Sequence, residues 1–300
     1  MDAYPSIARD AAARLPARFS EPRAERLGRL VIESLVDEVT LTPKPGLVDI
    51  RSRGAHDDLD WSLMCESACA LLPTFCDLAR AGMNVHDALT LRERIGALGR
   101  EGEAVMLEAT GGVNTHRGAI WALGLLVTAA AQNSEERLPK NIATRAGALA
   151  CLPDRHAPAL SGNKGELACR SYGVGGARGQ AQAGFPHVVD VALPELWRSR
   201  RRGDDETAAR LNALLAVMAS LDDTCVLSRG GRNALSAVRD GAGRVLHHGG
   251  AAALLGRCHL KALDRALIEW HVSPGGAADL LAAALFLDRL VVEASRVPSA

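Results

Sequence analysis

Apolar residues recur along this chain at intervals of three and four. Within 24–39, Leu27, Leu30, Val31, Leu35 and Val39 fall on one side of a helix. The same spacing predicts a helix over 61–81, kinked or broken near Pro73, where the ring removes a backbone donor. It predicts further helices over 85–109, 115–132, 207–227, 250–269 and 277–294. Strand-like alternation competes only at 187–193. Glycine and proline gather in 42–54, 111–118, 173–186, 229–250 and 273–276, and these clusters are expected to be loops between helices. Loops on a rigid helical scaffold are where sites usually lie. No period of 20–50 residues repeats, so a solenoid is excluded. The expectation is an all-α fold: one compact multi-helix domain over 24–300, with the Gly/Pro-rich loops forming the site.

Composition sharpens this picture. Hydrophobic residues are 48% of the chain but aromatic ones only 3%, so the apolar fraction is mostly Ala, Leu and Val, which favours closely packed helices. The first 23 residues mix Arg and Asp with prolines and lack an apolar core stretch, so they are expected to be a loosely ordered lead-in and not a secretory signal. The uncharged run 118–131 is too short to span a bilayer and reads as a buried helix. Lys plus Arg and Asp plus Glu number 35 each. That balance argues against a nucleic-acid partner. Seven unpatterned cysteines read as reduced cytoplasmic thiols, with Cys65 and Cys69 on one face that is expected to be core. His247 and His248 read as surface or packing groups.

Four clusters carry candidate chemistry. In the first, Pro43 and Pro45 stiffen the loop on either side of Lys44, which should present one cation. Asp58 and Asp60 are two apart and would face one side of an extended segment, as oxygen ligands for a hard divalent cation do. The plainer reading is that Asp57 or Asp60 caps the next helix. In the second cluster, Gly111 and Gly112 approach a helix that Asn114 or Thr115 can cap, with His116 and Arg117 beside it. A glycine-rich approach to a helix N-terminus suits an anion such as phosphate.

In the third cluster, a continuous helix over 207–227 would set Asp222 about 20° from Leu211, inside the apolar stripe, with Arg229 on the same face. A carboxylate there needs a partner or a metal. A buried Asp222–Arg229 pair, or a metal-binding or catalytic role for the aspartates, would each satisfy it. The fourth cluster, Ser273-Pro274-Gly275-Gly276, opens a helix with two glycines in its first turn. Close approach of a phosphate to that backbone would explain their cost, as would tight helix packing. There is no G-x-x-x-x-G-K-[ST], no G-x-S-x-G and no H-E-x-x-H, and the glycines of 173–179 miss the dinucleotide fingerprint.

Taken in order, these segments resemble the triphosphoribosyl-dephospho-CoA synthase family: TPKPGLVD at 42–49, GAHDDLD at 54–60, TGGVNTHRGAIWALGLL at 110–126, YGVGGARGQAQAGFP at 172–186, LDDTCVLSRGG at 221–231 and SPGGAADLLAAALFL at 273–287. The likeness covers about residues 25–290. GGVNTHRGAIWALGLLVTAAA and LPELWRSR look most like the malonate-decarboxylase branch. Gln180 departs from the acidic residue that related sequences often carry, which argues against a catalytic carboxylate there. The resemblance implies that the ribose 2′-hydroxyl of 3′-dephospho-CoA attacks C1′ of ATP and adenine leaves. A separate transferase then loads the product onto an acyl-carrier subunit. It implies Mg²⁺ with ATP, and phosphate sites at Lys44, Gly111, Gly112, Asn114, Thr115, Arg117, Arg229, Ser273, Gly275 and Gly276. Asp222, Asp223, His56 and His116 become the catalytic candidates, with His56 or His116 protonating adenine, and Asp58, Asp60, Asp222 and Asp223 the metal candidates. Two other readings stand: a Mg²⁺-dependent hydrolase of ADP-ribose-type N-glycosides, with water as acceptor, and a non-enzymatic helical adaptor. The oligomeric state, a homodimer or otherwise, is left open.

Overall fold

A computed structural model describes residues 22–158 and 162–296, and among them there are helices and connecting loops but no strand. The expected lead-in therefore lies, up to residue 21, outside the described residues. Arg23, assigned to that lead-in, already belongs to the first helix, α1 (Arg23–Thr40). It is followed by α2 (Trp61–Ala70), α3 (Leu72–Asn84), α4 (Ala88–Ala109), α5 (Arg117–Gln132), α6 (Pro139–Cys151), α7 (Lys164–Tyr172) and α8 (Gly176–Gln182). A π-helical turn (His187–Ala192) runs into α9 (Leu193–Arg202), and then come α10 (Glu206–Met218), α11 (Thr224–His247), α12 (Leu254–Glu269) and α13 (Gly275–Arg296).

Side-chain caps set several of the starts. Asp60, Asp87, Asn163, Asp205 and Asp223 each accept a backbone N–H of the first turn that follows them. Asp60 is thus the cap of α2, and Asp87 begins α4 three residues later than apolar spacing suggested. The 61–81 helix is two helices, broken at Leu71 with Pro73 in the first turn of the second. The stretch Trp61–Asn84 is apolar and long enough to cross a bilayer by composition alone, but half of that window is buried against other helices.

Three expectations are corrected. The 207–227 helix stops at Met218, because Asp223 caps a new one. The 187–193 segment is π-helical, since Phe185 and Pro186 launch a turn whose buried side is Val188 and Ala192. The Gly-rich 229–250 segment is largely helical, and only Gly231, at φ 67°, breaks the regular geometry of α11.

The centre of the fold is α5. Every residue from Ala122 to Ala131 is buried, and α1, α3, α4, α6, α8 and α13 pack around it. Small residues allow the close crossings that this requires. At the α3–α5 crossing, Gly82 abuts the Thr128 carbonyl, and Thr128 Oγ1 lies 3.3 Å from the Leu78 carbonyl. An added Cβ on Gly82 would sit 2.4 Å from Thr128 O, whereas one on Gly99 of α4 would meet nothing within 4 Å. Gly82→Ala is therefore expected to destabilise by about 1–3 kcal/mol. Gly99→Ala should be neutral or stabilise by up to about 1 kcal/mol, from helix propensity alone. Urea denaturation of the two variants beside the parent checks both signs.

Candidate active site

The loop 41–60 between α1 and α2 is organised by one carboxylate. Asp49 accepts from Thr42 Oγ1 at 2.7 Å and from the backbone N–H groups of Lys44, Arg51 and Ser52 at 3.2, 2.8 and 2.9 Å. Burial by itself would raise its pKa. These donors and the Arg51 guanidinium overcome that and hold it below the usual carboxylate range. The loop then docks on the far end of the chain. Gly46, at φ 68°, lies so close to Val272 O that a Cβ would come within 2.6 Å, and its N–H donates to Asp264 on α12. A side chain is excluded there by both conformation and space.

Lys44 does not present its charge outward. Its side chain is 1% exposed, and Nζ donates to Glu38 Oε1 on α1 at 2.5 Å. The ammonium is turned inward, and the cation expected to hold phosphate is part of a buried ion pair in this structure. Glu38 lies on the core stripe of α1, one turn beyond Leu35.

Around this pair, the second and fourth sequence clusters meet. His116, at the start of α5, is 3% exposed. Its Nε2 lies 3.0 Å from the Met64 carbonyl, which can only accept, so Nε2 carries the proton. Burial pushes the imidazole pKa down, so it is neutral and has no proton to spare for a leaving group. Two residues on, Gly118 faces α13: a Cβ there would lie 1.9 Å from Asp279 Oδ2. Among the described residues no hydrogen-bond donor serves the Asp279 carboxyl. Burial first, then the neighbouring Glu38 and Asp223 charges, push its pKa well up.

Asp223 is 3% exposed and joins two helix starts. Oδ1 accepts from the N–H groups of Cys225 and Val226 at the head of α11, and Oδ2 accepts from Ala277 at the head of α13 at 2.9 Å, with the Gly276 amide also turned to it. The glycines at 275 and 276 are thereby explained. A Cβ on Gly276 would come 3.1 Å from the Asp223 carboxylate, and one on Gly275 3.1 Å from Cys225 Sγ. The close approach is made by an internal carboxylate that already satisfies this helix start, not by a cradle left open for a phosphate. Ser273 beside them is 2% exposed.

Asp222 is elsewhere. Its side chain is 55% exposed and pairs with Arg239 at 2.8 Å. The helix that would have put it in the core stripe has ended, so the expected burial and the Asp222–Arg229 pair are both overturned. Arg229 instead donates to the Ala55 and His271 carbonyls and to His56 Nδ1, at 3.2, 3.3 and 3.3 Å. It pins the 41–60 loop to α11 and to the α12–α13 connection. Because a guanidinium only donates, His56 Nδ1 accepts, and burial followed by Arg229 pushes the His56 pKa down.

The expected metal ligands do not assemble. Asp58 is exposed, 3.5 Å from His56 Nδ1. Asp60 is divided between its helix cap and Arg53, Asp222 is at Arg239, and Asp223 is saturated by N–H donors. No group of three or more His, Cys, Asp or Glu arranged for a metal occurs among the described residues. In the second cluster, Gly111 and Gly112 are exposed with open space around them. Asn114 Oδ1 accepts from the Arg117 N–H, Thr115 Oγ1 meets Ser67 Oγ at 2.6 Å, and Arg117 pairs with Glu103 at 3.0 Å. Gln180 meets His187 at 3.1 Å, outside this cluster.

All seven cysteines are free. Cys69, expected in the core, is exposed, because α2 buries only Ser67 and Ala68. Cys65 is half-buried, and burial pushes its thiol up to about 11. His248 stacks on His259 at 4.5 Å with His247 against its edge.

Glu38, Asp49, Asp264 and Asp279 are the residues that sequence reading missed. The helical-wheel test applied to Asp222 would have found Glu38. Asp279 is a lone charge in the otherwise apolar opening of α13, and that was a signal too.

The family model for ATP:dephospho-CoA triphosphoribosyl transferase matches residues 24–297. A 2-(5″-triphosphoribosyl)-3′-dephosphocoenzyme-A synthase of Klebsiella pneumoniae is 54% identical, over 90% of this chain and 96% of its own. Probable synthases of the same name from Azotobacter vinelandii and Pseudomonas syringae are 55% and 56% identical, each over 89% of this chain and 92% of their own. No solved structure matches. The chain belongs to the ATP:dephospho-CoA triphosphoribosyl transferase family and is an enzyme of the transferase class.

Two outcomes follow for stability. Lys44→Met leaves Glu38 buried and unpaired and should cost about 3–5 kcal/mol, with much of the loss recovered when Glu38→Leu is added. Thermal melts of the single and double variants measure this, and additive losses would contradict the pairing. Asp222→Ala removes a surface pair and should cost less than about 1 kcal/mol. Asp223→Ala uncaps two helices and should cost about 2–4 kcal/mol. Chemical denaturation of both variants ranks them.

Proposed function

We propose that this enzyme transfers the 5-triphosphoribosyl group of ATP to the ribose 2′-hydroxyl of 3′-dephospho-CoA and releases adenine, making the prosthetic-group precursor of malonate decarboxylase. Family membership supports the substrates. The supporting observation is a cluster of acidic side chains: Glu38, paired with the buried Lys44, and Asp223 both act on Asp279, which adjoins Gly118 at the start of α5. As the bond from C1′ to adenine breaks, positive charge spreads over C1′ and the ring oxygen, and the fixed Glu38 carboxylate in a poorly solvated site stabilises that charge more than the neutral ground state.

The polyanionic ends of the substrates lie better at the rim. Arg51 and Arg53 are more than half exposed, and Arg229, which holds the same loop, is exposed as well. Arg117 is half-buried next to the exposed Gly111, Gly112 and Asn114. Mg²⁺ enters this reading as the counter-ion that ATP carries, shared with its phosphates. The likeness of 111–131 and 193–200 to the malonate-decarboxylase branch supports that destination, with the product handed to a separate transferase acting on the acyl-carrier subunit. We place the reaction in the cytoplasm, where ATP and dephospho-CoA are available.

Mass spectrometry of products from Mg²⁺–ATP, with and without 3′-dephospho-CoA, tests the reading. Free adenine and a CoA derivative bearing the triphosphoribosyl group are expected only when both substrates are present. Adenine release at equal rate without the acceptor would identify a hydrolase, and ADP or AMP as product would exclude glycosyl transfer.

A further inference from the structure

Departure of adenine as an anion is slow, so an enzyme that breaks this bond has to supply a proton to the purine ring. The groups around this cluster can be examined one by one for that proton. His116 carries one on Nε2, but the Met64 carbonyl holds it inside the protein. His56 accepts at Nδ1 from Arg229 and is neutral. The Lys44 ammonium is spent on Glu38, and Asp223 accepts from the head of two helices. The Cys225 thiol stays protonated, pushed far up by burial and by Asp223 and Asp279, and is far too weak an acid.

Asp279 is different from all of these. It projects from α13 one turn after the helix start, seated against the side-chain-free Gly118. It is partly open to solvent, and no donor or cation among the described residues satisfies it. Titratable groups facing it are Glu38 from α1, and Asp223 and Cys225 from the start of α11; α5 contributes only Gly118 at the contact. Its neighbours are therefore negative or neutral. A carboxyl in such surroundings holds its proton to higher pH than an ordinary one and can give it to a base that is becoming more basic.

We propose that Asp279 is the catalytic acid that protonates the departing adenine. This rests on the reaction proposed above. The bond from C1′ to N9 breaks, its electron pair goes to adenine, and the Asp279 proton goes to a ring nitrogen. The new bond forms between C1′ and the acceptor O2′, whose proton passes to the Glu38 carboxylate beside Lys44. Return of that proton from Glu38 to Asp279, directly or through solvent, restores the starting state, so no other reactant is consumed.

The test varies the leaving group. N7-methylated ATP already carries the positive charge that protonation would supply. Asp279→Asn keeps the shape of the side chain and should lower adenine release from ATP by 10²- to 10⁴-fold, yet turn over N7-methylated ATP within a few-fold of the parent. The parent should lose activity toward ATP as pH rises through the Asp279 pKa, since only the protonated form works. That basic limb should be missing in Asp279→Asn, and missing in the parent with N7-methylated ATP. Equal loss on both substrates in a folded variant, undiminished activity with ATP, or a basic limb that survives the substitution would each overturn the assignment. Should Asp279→Asn not fold, the two parent profiles decide: a limb of the same position and depth with both substrates overturns it. Absence of adenine release by the parent would instead refute the transfer reaction itself.

Discussion

The architecture of the site hangs on the Asp223 carboxylate. One oxygen ends the gap after α10 by capping α11, and the other caps α13 from the side. Helix starts leave N–H groups unsatisfied, and two of them buried next to each other would be costly without a shared acceptor. By taking both, Asp223 fixes where α13 begins and hence where Asp279, one turn later, enters the cluster. Gly275 and Gly276 are the steric condition for this arrangement, since side chains there would press on Cys225 and on the carboxylate.

Electrostatics follows from that geometry. Burial pushes Asp223 and Asp279 up in pKa, and the buried Lys44 ammonium is already claimed by Glu38. Gathering acidic groups out of water with so little compensation opposes folding and is kept where a reaction develops positive charge or needs a proton. The loop 41–60 answers the same demand from the other side. Asp49 folds it tightly, Arg229 staples it to α11, and the result places Lys44 inside the protein while leaving Arg51 and Arg53 in water.

Long amphipathic or wholly apolar stretches were readable from their spacing, as α1, α4, α5 and α12 show, because burial of a stripe is a local property of the sequence. Breaks were harder to read. Apolar spacing runs on through Met218 and Leu221, and only the N-cap at Asp223, whose second partner lies on α13, reveals that one helix has given way to another. The glycines of 229–250 suggested a loop, yet Leu235, Val238, Ala242 and Val245 supply a buried face that outweighs their propensity. At the site, motif position pointed to the right segments and often to the wrong side chain. Asp222 and Asp223 are neighbours in sequence, but one lies at the surface and one in the core, and the register of the next helix makes the difference.

The position of Gly118 has a dynamic consequence. It sits in the first turn of α5, a rod sheathed by six other helices, so its amides a few turns on can meet solvent only when the surrounding bundle comes apart. The middle of α5 is therefore expected to exchange its amide hydrogens in the slowest class, that of global unfolding. The wall formed by Gly118 is thus anchored to the core, and any adjustment to two bulky nucleotides has to come from exposed segments such as 50–53 and 111–114.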